Sequence, residues 1–133
     1  MVVVTNNELV INRCIEAAND AYPVFDTLYI DGNVEELLVK VRDMVYYGYP
    51  LITHPLAASI QMLRSKYRTV ILGSDLCGLN PIHVEIAENS LYKYRQCTGH
   101  GSPDINNDEE YKWLDLQLFL SAQREGFKAW ELV

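Results

Sequence analysis

The sequence predicts an α/β fold: a three-layer sandwich whose small, mostly parallel sheet of about four strands is flanked by helices, Rossmann-like in topology but without a dinucleotide motif. Three observations carry that prediction. Short, dense apolar runs stand at residues 2–4 and 69–73. Longer stretches with apolar residues three and four positions apart alternate with them. Polar or turn-forming residues close each run, so strands and helices take turns along the chain, as in βαβ units with right-handed crossovers.

Val2, Val3 and Val4 form a β-branched run suited to a central strand covered on both faces, and Thr5-Asn6-Asn7 ends it. Residues 8–21 carry Leu9, Val10, Cys14, Ala17 and Ala18 at helical spacing, with Asn6 or Asn7 placed to accept from the first free N–H groups. A second strand is expected over residues 24–30, stopped by Asp31-Gly32.

The next helix has the clearest signal. Val34, Leu37, Leu38, Val41, Met44 and Val45 make one apolar stripe; Asn33 and Glu36 stand in the positions of a capping box, and Gly48 stops the pattern. Leu51-Ile52 reads as a short third strand before Thr53-His54-Pro55, and residues 56–68 as a long loop with one helical turn at most. After the fourth strand, Asn80-Pro81 marks a helix start, because proline at the first helical position lacks only an N–H that is unpaired there anyway. That helix is expected to run to about residue 96, and a Gly/Ser/Pro loop over 98–103 precedes a last helix. Asn107 and Glu110 match a second capping box at its start, Gly126 ends it, and a C-terminal strand or tail is expected near 129–133.

With 133 residues the chain has the size of one domain, 1–133, able to bury a core without disulfides or metals. The net charge of −7, with basic residues scattered along the chain, excludes a nucleic-acid backbone as partner. No apolar stretch approaches the roughly 20 residues that span a bilayer, and the first residues lack the charged and apolar regions of a signal peptide, so a soluble, cytoplasmic protein with no membrane partner is expected. Cys14, Cys77 and Cys97 show no C-x-x-C spacing, which speaks against a disulfide framework or structural zinc and for a reducing compartment.

In open parallel sheets, ligands collect beyond the carboxyl ends of the strands. The residues expected there are Asn6 and Asn7, Asp31 and Gly32, His54, and Gly73, Ser74 and Asp75. Each has a plain structural alternative: helix capping for the asparagines, turn chemistry for Asp31, a hydrogen-bonded structural role for His54. A Ser/His/Asp set of Ser59 or Ser74, His54 and Asp31 has the residue types, but no G-x-S-x-G elbow frames either serine. Gly99-His100-Gly101 follows no strand and lacks a third glycine, so no nucleotide or other cofactor is expected. His83 and His100 form no ligand pair at helical spacing, so no metal is expected either. Tyr46, Tyr47 and Tyr49, with Tyr92 and Tyr94, suit either core edges or a homodimer or partner surface.

Several segments taken together, Thr5-Asn6-Asn7 with Val10, Val41-Arg42-Asp43, Leu51-Ile52-Thr53-His54-Pro55-Leu56 with Ser59, and residues 67–72, resemble the GrdX family, small proteins encoded beside the glycine, sarcosine and betaine reductase components of amino-acid-fermenting anaerobes. The resemblance covers residues 1–97, and T-H-P-L is its most specific part. Where the family has a proline-containing loop after the T-H-P-L serine, this chain reads Ile60-Gln61-Met62-Leu63-Arg64-Ser65-Lys66, so no contact of that loop is carried over.

The resemblance implies an accessory or regulatory protein of the reductase system, without an established activity. Its T-N-N and T-H-P segments fall at the strand ends chosen on physical grounds. The expected function is therefore binding of a small polar metabolite or a reductase subunit in the strand-end crevice, with Asn6, Asn7, Asp31, His54, Ser59 and Ser74 as ligand-binding candidates. Two alternatives stand beside it: an enzyme using His54 as general acid or base on a carboxylate- or carbonyl-containing metabolite, and an interaction module with a tyrosine-rich surface.

Overall fold

The computed structural model describes residues 1–18, 26–56, 63–98 and 107–124. Three strands and four long helices follow in the order β1 (Val2–Thr5), α1 (Glu8–Ala18), β2 (Asp26–Tyr29), α2 (Val34–Tyr47), β3 (Thr69–Leu72), α3 (Pro81–Thr98) and α4 (Asp108–Arg124).

β1 is the central strand of a β2-β1-β3 sheet. It pairs parallel with β2, Val3 against Thr27, and antiparallel with β3, Val3 against Ile71. Among the described residues the sheet is thus mixed and three-stranded, not the mostly parallel four-stranded sheet of Rossmann-like layout that the alternation of elements predicts. Leu51-Ile52, read as the missing strand, is reduced to a single bridge from Leu51 to Leu72. The amides of Ile52 and Thr53 both donate to the Ile71 carbonyl, at 2.9 and 3.2 Å, and the Ile71 amide turns to the Thr53 hydroxyl at 2.9 Å, so the ladder stops after one step. Pro50 and Pro55 on either side lack the N–H that would extend it. Residues 50–53 lie beside β3 and meet it antiparallel at Leu51 and Leu72, while β3 itself runs opposite to β1.

Alternation along β1 divides the core in two. Val2 and Val4 join Val70, Leu72, Val34, Leu37, Leu38, Val41, Val45 and Leu91 beneath α2 and α3. Val3 joins Ile71, Val10, Cys14 and Phe119 beneath α1 and α4. Helices therefore cover both sheet faces, the layering expected of residues 2–4.

The helix boundaries follow the local chemistry. Asn33 Oδ1 accepts from the Glu36 amide at 2.8 Å, and Gly48, at φ +123°, donates its amide to the carbonyls of Met44 and Val45. Asn80 Oδ1 accepts from the amides of Ile82 and His83 ahead of α3. The expected C-terminal strand near 129–133 lies outside the described residues.

Candidate functional site

At the carboxyl end of β1 the backbone meets a group of buried polar side chains. Asn6 follows the strand, and its amide group donates to the carbonyls of Gly32, at 3.1 Å, and Lys66, at 2.6 Å, while its Oδ1 accepts from the Arg68 amide at 2.9 Å. One side chain thereby ties β1 to the turn before α2 and to the loop before β3. Asn7 faces the other layer: its Oδ1 caps α1 through the Leu9 amide, and its amide donates to the Lys112 carbonyl at 2.9 Å and to Asp115 Oδ2 at 3.0 Å. An asparagine amide has two N–H donors, and both are spent on protein groups in each residue. Asn6 and Asn7 thus build the strand end, and what remains open to a ligand lies around them.

Asp115 sits 4% exposed on α4 and also accepts from the Thr69 hydroxyl at 2.8 Å. Burial pushes its carboxyl above the usual range, and the hydrogen bonds from Asn7 and Thr69 and the charge of Arg68 pull it back. Arg68, 5% exposed, lies within electrostatic reach of Asp115 from the α4 layer and Tyr94 from the α3 layer; burial lowers its pKa and these two partners raise it. Thr5 and Thr69 join hydroxyls at 2.8 Å across the paired strands and close the group.

His54 stands exposed at the same end, because residues 51–54 run alongside β3 toward Arg68. Its Nδ1 accepts from the Leu56 amide at 3.0 Å. The neutral ring therefore carries its proton on Nε2, which makes that nitrogen a donor. Partial burial lowers the pKa of the imidazole, and the positive charges of Lys93 and Arg68 lower it further. A neutral ring in these cationic surroundings suits contact with an acceptor oxygen of an anion or carbonyl better than it suits abstracting a proton.

The remaining candidates separate. Asp31 is exposed and precedes Gly32, whose carbonyl holds Asn6, so it belongs to this end. Ser74 lies at the opposite end, where its hydroxyl accepts from the Met1 amino group at 3.1 Å, because the antiparallel direction of β3 carries its carboxyl end away from that of β1. Ser59 lies outside the described residues. His83, read as a helix-start residue, is buried and accepts from the Leu51 amide at 3.1 Å through Nδ1.

Nothing in the sequence marks Arg68, Thr69 or Asp115 as members of this group, and Tyr94 stands out there only as a core-edge or interface tyrosine. A signal for Asp115 existed: it lies four residues before Phe119, on the core side of α4, where a carboxylate needs partners. Among the described residues, no three His, Cys, Asp or Glu side chains gather as a metal site. No helix among them is long and apolar enough to cross a membrane.

The family model described as GrdX-like protein matches residues 2–124. The match runs past the residue 97 limit of the segments that first suggested the family and includes α4, and with it Asp115. No curated protein and no solved structure matches the chain.

Proposed function

The chain belongs to the GrdX-like protein family, and from that premise we propose that it is an accessory or regulatory protein of the glycine, sarcosine and betaine reductase system that binds a small polar metabolite at the carboxyl end of β1. Lys93 and Arg68 lie within electrostatic reach of His54 and supply a positive field that favours a carboxylate or carbonyl ligand, and the hydrogen bonds of Asn6 and Asn7 hold the backbone rigid beneath. The observation that carries this reading is the position of the exposed His54, in that positive field, at the strand end that Asn6 and Asn7 build.

A thermal-shift comparison of the wild type and His54→Ala against glycine, sarcosine, betaine, acetate, acetyl phosphate and phosphate tests it. A ligand at a hundredfold excess over its Kd adds about 2.7 kcal/mol of stability. A shift with the wild type that His54→Ala loses supports the reading. If no compound shifts the wild type, metabolite binding is overturned for this panel, and a reductase subunit becomes the partner to seek by pull-down. The enzymatic alternative requires turnover that His54→Ala abolishes without loss of folding.

A further inference from the structure

Helix α4 is apolar on two sides. Leu116 and Leu120 pack with Phe119 against Val3, Val10 and Ile71. On the outward side Trp113, Leu114 and Leu118 are 56%, 40% and 55% exposed, and Trp113 and Leu114 with Glu109 and Glu110 line an open groove of about 350 Å³. Three large apolar side chains on one strip of a surface helix are more than isolated exposed residues, and such a strip marks an interaction surface.

The strip also has a charge pattern. Glu110, Trp113 or Leu114, Gln117, Ser121 and Arg124 succeed one another at three- and four-residue steps, so they lie along one line of the helix. Its start is acidic, with Glu110 in the first turn, and its end is basic, with Arg124 in the last.

We propose that this strip docks a second copy of the chain, two α4 helices packing antiparallel across a twofold axis beside Gln117. The order of residues makes the strip complementary to itself. With Gln117 at the axis, Glu110 of each copy lies opposite Arg124 of the other, and Trp113 lies opposite the small Ser121, which leaves room for the indole. Leu114 borders this line and Leu118 lies beyond it at the edge of the contact, on opposite sides of the axis in the two copies. The antiparallel arrangement also sets the acidic, N–H-rich start of each helix beside the basic, carbonyl-rich end of the other. Isologous pairing of this kind closes at two copies. One helix from each subunit buries less than a standard interface, so the dimer is weak and concentration-dependent.

Sedimentation of the full-length chain over a range of micromolar concentrations tests this. The wild type is expected to pass from monomer to dimer as concentration rises, and Trp113→Glu to weaken the dimer at least about tenfold with helix content unchanged. Glu110→Arg and Arg124→Glu should each weaken it, and the double variant should restore it, since opposite charges then face each other again. A wild type that stays monomeric throughout overturns the proposal, as does a dimer indifferent to Trp113→Glu. A double variant no better than either single variant overturns the antiparallel register.

Discussion

The side-chain amide of Asn7 donates to Oδ2 of Asp115 at 3.0 Å, joining the residue that caps the first helix to a carboxylate in the last. The contact spans 108 positions of sequence. Thr69 donates to the same oxygen from β3, and the charge of Arg68 faces it. The carboxylate therefore stands where β1, β3, α1 and α4 meet.

Removing that carboxylate leaves two buried donors, the Asn7 amide and the Thr69 hydroxyl, without this acceptor. Asp115→Ala is expected to destabilise the fold by about 1–3 kcal/mol, the usual cost of leaving buried donors unsatisfied. Asp115→Asn keeps a carbonyl acceptor for Thr69 or Asn7 and should lose less. Urea denaturation of both variants measures this. A loss under about 1 kcal/mol for Asp115→Ala would show that Asp115 is dispensable to the junction.

The pH dependence has a definite sign. His83 and His54 both have folded-state pKa values below the ordinary histidine value, burial being the first cause in each. The unfolded chain then takes up protons first as pH falls. Their contribution to stability is whole above the unfolded value of about 6.5 and is lost as pH drops through the folded values. Asp115, raised by burial, acts in the opposite sense: its contribution is full below its unfolded pKa and is lost as pH rises through the folded one. Melting temperature measured from pH 8 to pH 5 should fall less steeply in His83→Gln than in the wild type. Equal slopes would remove His83 from the linkage.

The helices were legible because their signals are local. The α2 stripe, its Asn33 cap and its Gly48 stop each depend on residues within a turn of one another. The direction of β3 was not, since Thr69, Val70, Ile71 and Leu72 read the same whichever way the strand runs. Nothing local in the sequence marks Arg68 as buried, because its electrostatic partner Asp115 lies on a distant helix. Asn6 and Asn7 were found at their true place, but the sequence could not show that their donors serve the fold.

Thiol chemistry should separate the three cysteines. Cys14 is buried against Val3 and Val10, and burial pushes its thiol up to about 11, whereas Cys77 and Cys97 are exposed. Because the thiolate is the reacting species, an aromatic disulfide reagent at pH 8 should titrate Cys77 and Cys97 promptly in the native protein and Cys14 only after denaturation. Rapid reaction of Cys14 would mean that the layer beneath α1 opens readily.

Gly48 and Gly78 offer a paired test of backbone geometry. Both have positive φ, +123° and +78°, and they approach one another: the Cys77 amide donates to the Gly48 carbonyl at 3.0 Å. A Cβ on Gly48 would stand 3.4 Å from the Gly78 nitrogen, in addition to occupying a backbone conformation that side chains disfavour, while a Cβ on Gly78 would meet nothing within 4 Å. Gly48→Ala should therefore cost about 1–3 kcal/mol, as a strained backbone position does. Gly78→Ala bears the conformational penalty alone, about 1–2 kcal/mol. Gly78→Asn should cost less than Gly78→Ala, since asparagine tolerates the left-handed region. Gly48 also closes α2 with its amide, so its substitution should loosen the helix end that carries Tyr46 and Tyr47, visible as faster amide exchange there. Urea midpoints for the three variants decide the order, and a Gly78→Ala loss equal to or larger than that of Gly48→Ala would show that the close approach of the two glycines adds nothing to the cost.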